Sequence, residues 1–265
     1  MNIARPEAII APMRILPFLL ALASGSALLT ASCGPARPRH GRPRVLSHRV
    51  GKPGPEGTIT GAERAIAMGV DILEMDVRLT RDGHAVILHD AAVDRTTDGK
   101  GPVAGMTLAE LKRLDAGTGE RIPTVAEFLV AIRGRAKVTL ELKVVAAADR
   151  VVEAIRQAGA FAWAVVRSQD LERLGALKKT EPRLLTGAMA PWPTSVARLA
   201  ELGVAAYTPS SNEKLTREDV AAFQAAGIAV WATLANKEEE WRRLAALGVD
   251  GIITDEPELL IGVLR

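Results

Sequence analysis

The chain has one cysteine, Cys33, so it can form no internal disulfide, and no group of Cys and His has zinc-site spacing. Net charge is small, +3 over 265 residues, and no basic stripe is interleaved with the few aromatics (3%), which argues against a nucleic-acid surface. A membrane-length apolar run is also missing. Residues 15–29 are uncharged, but fifteen residues fall short of the ~20 that a span needs. What remains, 48% apolar and 25% charged, is a soluble globular composition, long enough to bury one large core.

Arg14 precedes that short run, and Thr30-Ala31-Ser32-Cys33-Gly34 ends it, which is the layout of a secretory signal. Residues 1–33 therefore read as a lipoprotein-type signal, with Met13 as an alternative start and Cys33 as the lipid attachment point. Thr30 stands where such a cleavage box usually carries leucine, and an ordinary cleaved signal with an incidental cysteine is the competing reading. Residues 34–44, GPARPRHGRPR, have no periodicity and read as a solvated tether whose arginines can lean on anionic lipid; His40 within it has no assigned role. The expectation is an exported lipoprotein, anchored to the membrane surface and facing the periplasm or the cell exterior.

From residue 45 the chain alternates short apolar strands with amphipathic helices. Strands are expected at 45–48, 72–78, 85–89, 138–143, 164–167, 184–188, 205–207, 228–233 and 251–254. Helices are expected at 60–68, 147–158, 171–178, 195–202, 217–226 and 238–247, and Gly69, Gly159, Gly203, Gly227 and Gly248 are placed to cap helices before the next strand. About eight such units predict a single (β/α)8 TIM-type barrel over 45–265. One connection breaks the rhythm. Thr80-Arg81-Asp82-Gly83 leaves no room for a crossover helix, so its flanking strands form a β-hairpin that brings His89 opposite Glu74 and Asp76.

Charged residues at apolar strand ends carry the functional signal, because burying a lone carboxylate is costly unless it faces a partner. Period-two alternation puts Glu74, Asp76 and Arg78 on one face. Glu74, Asp76 and Glu141 make an all-oxygen set that suits a hard divalent cation, Ca²⁺ or Mg²⁺. His48 and His89 beside it suit acid–base work on an oxygen leaving group, and Arg49 and Lys143 suit a phosphate. Taken singly, a Glu-x-Asp in a strand is usually a solvated face, and His-Asp or Glu-Leu-Lys means little. Their joint occurrence at strand ends points to chemistry.

These residues resemble the glycerophosphodiester phosphodiesterases. The likeness is carried by His48-Arg49, Pro55-Glu56-Gly57-Thr58, Glu74-Met75-Asp76-Val77, Thr80-Arg81-Asp82-Gly83, His89-Asp90, Arg95-Thr96-Thr97, Glu141-Leu142-Lys143, Val230-Trp231-Ala232-Thr233 and Gly248 to Asp255. The resemblance implies a barrel hydrolase that releases glycerol 3-phosphate and an alcohol. In it Glu74, Asp76 and Glu141 hold the metal, with Glu56 adding a carboxylate in some members. His48 and His89 serve as acid and base, Arg49 and Lys143 hold phosphate, and Trp231 lines the glycerol pocket or plugs the barrel.

Two departures fall in one loop. Val50 replaces a glycine and Gly57 an asparagine, so the valine is expected to reshape the mouth while Gly51 takes over the turn. They leave two alternatives open: a lysophospholipid or other phosphodiester as substrate, or a catalytically silent lipoprotein that binds a phosphorylated ligand.

Overall fold

The computed structural model describes residues 41–52 and 54–265. Cys33, the signal and all but the last residues of the tether lie outside the described residues. Eight parallel strands close into a barrel with helices on its outside. In chain order these are β1 (Arg44–His48), β2 (Ile72–Leu79), β4 (Lys137–Leu142), β5 (Ala164–Ser168), β6 (Leu185–Ala190), β7 (Ala206–Pro209), β8 (Ala229–Ala232) and β9 (Gly251–Thr254), and β1 closes the ring by pairing with both β2 and β9. β3 (Ala85–Ile87) is antiparallel to the end of β2, as the turn at Asp82-Gly83 requires.

The helices are α1 (Ile59–Met68), α2 (Leu108–Leu111), α3 (Val125–Ile132), α4 (Ala148–Gln157), α5 (Leu171–Thr180), α6 (Val196–Glu201), α7 (Arg217–Ala225), α8 (Glu238–Leu247) and α9 (Pro257–Val263). Thr58 starts α1 by accepting the Gly61 amide at 3.0 Å, and Thr124 and Thr216 close reciprocal caps with Glu127 and Asp219 at α3 and α7. All five glycines expected after helices have positive φ, from 61° at Gly159 to 94° at Gly69. α9, opened by Pro257, follows the last strand without having been anticipated.

β2 is the strand on which the site turns. Its first half, Ile72–Glu74, pairs with β1, while its last residues, Val77–Leu79, pair with β3. Alternation sends Leu73, Met75 and Val77 into the layer between barrel and helices, and Ile72 into the barrel interior with Leu46, Val165, Ala206, Trp231 and Ile253. That apolar floor sits at the strands' lower ends. Glu74 and Asp76 continue the inward row above it.

A second, smaller core lies under the excursion between β3 and α3, built on Val86, Leu88, Val93, Val103, Leu111, Ala116 and Ile122. It gives the segment carrying His89 a foundation of its own.

Candidate active site

Strand register brings the acids together. His48 is the lateral partner of Glu74, Asp76 of Glu141, and Glu141 of Arg167. Among the described residues, Glu74, Asp76 and Glu141 form a group in which one carboxylate oxygen from each lies within 4.8 Å of the other two, and each residue is at most 6% exposed.

Three carboxylates buried this closely repel one another unless cations intervene. Lys143 lies 3.1 Å from Asp76 and 2.6 Å from Glu141; burial opposes its charge, but the two acids hold its ammonium above the ordinary range. Arg49 Nε approaches Asp76 at 3.5 Å, and its backbone amide reaches Glu74 Oε2 at 3.4 Å. Even so, burial first and the Asp76 charge second push the Glu74 carboxyl up to about 8. Asp76 Oδ2 is buried without a hydrogen-bond partner. An oxygen-only donor set, an orphaned buried oxygen and a carboxyl raised by burial and by the adjacent acid all fit a bound hard dication.

Both histidines are gripped at Nδ1. His48 Nδ1 lies 2.7 Å from Asp255 Oδ1, and Asp255 Oδ2 accepts Asn236 Nδ2 at 2.7 Å. Burial works against the Asp255 charge, but the bonds from His48 and Asn236 hold its carboxyl below the usual range. His89 Nδ1 lies 2.6 Å from Asp90 Oδ1, Arg95 Nε donates to Asp90 Oδ2 at 2.6 Å, and Arg95 then His89 hold Asp90 well below that range. A carboxylate at Nδ1 fixes the tautomer and leaves Nε2 for chemistry.

Glu56 stands apart from the acidic group. Both its oxygens accept the Arg95 guanidinium, at 2.7 Å each, and Arg49 lies 3.8 Å away. Trp231 lies in the apolar floor, 6% exposed.

The loop between β1 and α1 corrects one expectation. Gly51 does not take over the turn; Arg49 and Val50 themselves have left-handed backbones, φ 55° and 49°. Val50 is fully buried against Gly61 at the start of α1 and so does not shape the mouth. Gly57, φ 71°, occupies a left-handed position that asparagine also tolerates, so the backbone survives the exchange and only an amide is lost.

Sequence reasoning missed Asp255, Asn236 and Arg167 as participants. Asp255 directly follows β9, and Asn236 lies in the loop after β8, at the strand ends where barrel chemistry collects. Arg167 is a charge on an inward strand position, the same signal that had flagged Glu74.

The match to the glycerophosphoryl diester phosphodiesterase family model runs over residues 48–259. The chain belongs to the glycerophosphoryl diester phosphodiesterase family. It is 34% identical over 245 residues to the glycerophosphodiester phosphodiesterase of Caldanaerobacter subterraneus subsp. tengcongensis, covering 83% of this chain and 97% of the relative. An Oleispira antarctica phosphodiesterase solved with the product sn-glycerol-3-phosphate superposes with a TM-score of 0.75 and 29% identity, over 84% of this chain and 97% of that one. The glycerophosphodiester phosphodiesterase of Agrobacterium tumefaciens gives 0.70 and 27%, over 82% and 99%. The chain is thus an enzyme of the phosphodiesterase class on a TIM-type barrel.

Proposed function

We propose that this enzyme hydrolyses glycerophosphodiesters to glycerol 3-phosphate and an alcohol, with His48 and His89 as its acid–base pair. The convergence of Glu74, Asp76 and Glu141 beneath two histidines, each oriented by its own carboxylate, carries this reading. The product-bound Oleispira antarctica relative supports the substrate class. Glu74, Asp76 and Glu141 would hold Ca²⁺ or Mg²⁺, which supplies positive charge against the charge that develops on phosphoryl oxygen. Arg49 and Lys143, already facing the acids, would turn their remaining donors to the phosphate. One histidine Nε2 takes a proton from the attacking water while the other gives one to the departing alcohol oxygen, so that a P–O bond to water forms as the P–O bond to the alcohol breaks. Trp231 would form the floor on which the glycerol rests. Glu56 serves as the clamp on Arg95 rather than as a ligand.

Export and anchoring through Cys33 complete the proposal. Water-soluble, deacylated headgroup diesters are the proposed substrates, ahead of lysophospholipids held in the bilayer.

The chain from Gly34 onward should release glycerol 3-phosphate from glycerophosphocholine or glycerophosphoethanolamine and lose that activity to a chelator. Faster turnover of a lysophospholipid in a side-by-side assay would overturn the substrate choice. Binding of a glycerophosphodiester without any turnover would overturn the catalytic reading.

A further inference from the structure

We infer that Arg167 is a positioning residue for the Glu74 carboxylate, setting it for the dication; the inference rests on the metal reading above. Arg167 is 1% exposed inside the barrel, and its Nη1 donates to Glu74 Oε1 at 3.2 Å and to Thr139 Oγ1 at 3.4 Å. To do so it crosses β4 from β5 to reach β2. Burying an arginine is expensive, so its place is earned by what it faces.

The backbone makes room for it. Gly187 is its lateral partner on β6, and a Cβ there would lie 2.9 Å from Arg167 Cγ. Any side chain at that position would displace the arginine stem. Arg167 holds Glu74 Oε1, while Oε2 takes only the long branch, 3.4 Å, of an Arg49 amide whose short bond, 2.8 Å, goes to the Glu74 carbonyl, so Arg167 is the main restraint on this carboxylate. Asp76 and Glu141 have Lys143 as their common neighbour, whereas Glu74 has no hydrogen-bonded or ion-paired cationic side chain but Arg167 among the described contacts. Lys143 and Arg49 thus serve Asp76 and Glu141, and Arg167 serves Glu74.

A resident cation has two opposite effects on a metal: it repels the incoming ion, and it holds a ligand in place. With Arg167 as the main restraint on Glu74, positioning outweighs repulsion. Removing an outer partner of a metal ligand typically weakens binding 10- to 100-fold, and that is the loss expected for Arg167→Met when Ca²⁺ and Mg²⁺ are titrated calorimetrically into the full chain. Substrate KM at saturating metal should stay within ~3-fold, because Arg167 is buried with its bonds directed to Glu74 and Thr139, and excess metal should restore most of kcat. Arg167→Lys, which keeps a cationic donor, should recover most of the affinity. Gly187→Ala leaves every charge in place and should weaken metal binding ~10-fold by displacing the stem alone; it tests the same point if Arg167→Met fails to fold. Parent-like or tighter affinity in folded Arg167→Met, or in Gly187→Ala, overturns the positioning role. A parent protein that binds neither ion overturns the metal reading and this inference with it.

Discussion

The two histidine arms look alike at the ring and differ in everything behind it. His48 ends a barrel strand, and its carboxylate partner Asp255 directly follows the strand beside it, so barrel closure itself joins them. A neutral amide, Asn236, holds Asp255 from both sides, donating to its side chain and accepting its backbone N–H at 2.8 Å. His89 belongs to the excursion with the small second core. Its partner Asp90 is held by a cation, and that cation is forked onto Glu56 in a different loop. One arm is fixed by sheet topology and the other by a chain of charges across the surface. The difference teaches that equivalent geometry at the ring can rest on supports with different sensitivity to salt and pH.

Removing either ring should have the largest effect. His48→Ala and His89→Ala should each lower kcat on the order of 10²- to 10⁴-fold. A diester with a p-nitrophenol leaving group needs no acid, so on that substrate one of the two variants should regain most of its rate and the other none. Recovery of both, or of neither, would break the division of labour between the arms.

The supports come next. Asp255→Asn leaves the His48 ring with the wrong partner at Nδ1, a penalty of about 1–3 kcal/mol, or on the order of 10- to 100-fold in kcat. Asp90→Asn should cost a similar rate but also release Arg95, so it alone should loosen residues 90–101, read as faster amide hydrogen exchange there. Equal exchange in the two variants would mean that the charge chain orders nothing.

Much of this was legible in the sequence. Strand–helix alternation and the five capping glycines specify the barrel, and period-two alternation specifies which β2 residues look inward, because both follow from backbone geometry. The acids were legible because a charge inside an apolar strand is anomalous whatever the fold. Arg167 carries the same anomaly and was passed over because it closes its strand segment and no motif surrounds it. The ion pair of Glu56 with Arg95 joins residues 39 apart, and nothing local announces such a pairing. Val50 was misjudged because a left-handed valine is improbable on local grounds; tertiary burial overrides that preference.

Arg95→Met sharpens the contrast at a smaller scale. A partly exposed fork of this kind contributes about 1 kcal/mol, so kcat should fall ~5-fold, and moderate salt should mimic part of that loss in the parent through screening. Asn236→Ala, acting on the neutral arm, should lower kcat without any such salt dependence. The pH sign follows from Asp90. Its carboxyl lies below its ordinary value when folded, so its stabilising effect is present above the usual carboxylate range and is lost as pH falls through the depressed value. Arg95→Met should move the Asp90 titration, followed by side-chain ¹³C shifts, upward toward ~3.9. An unmoved midpoint would remove Arg95 from the account.

The smallest effect belongs to Val50, which ties the His48 arm to the core. Its left-handed backbone costs about 1–3 kcal/mol, and glycine would relieve that. Against this, glycine gives up a buried valine worth about 1.5–3 kcal/mol and adds about 0.5–1 kcal/mol of chain entropy. The losses slightly exceed the gain, so Val50→Gly should destabilise by about 1 kcal/mol, a fall of ~2–4 °C in Tm for a domain of this size. Because the isopropyl group packs against Gly61 and not into the mouth, kcat and KM should stay at parent values. A variant that instead turns over bulkier diesters would show that the valine governs access, and the His48 arm would then owe its shape to this loop as well as to barrel closure.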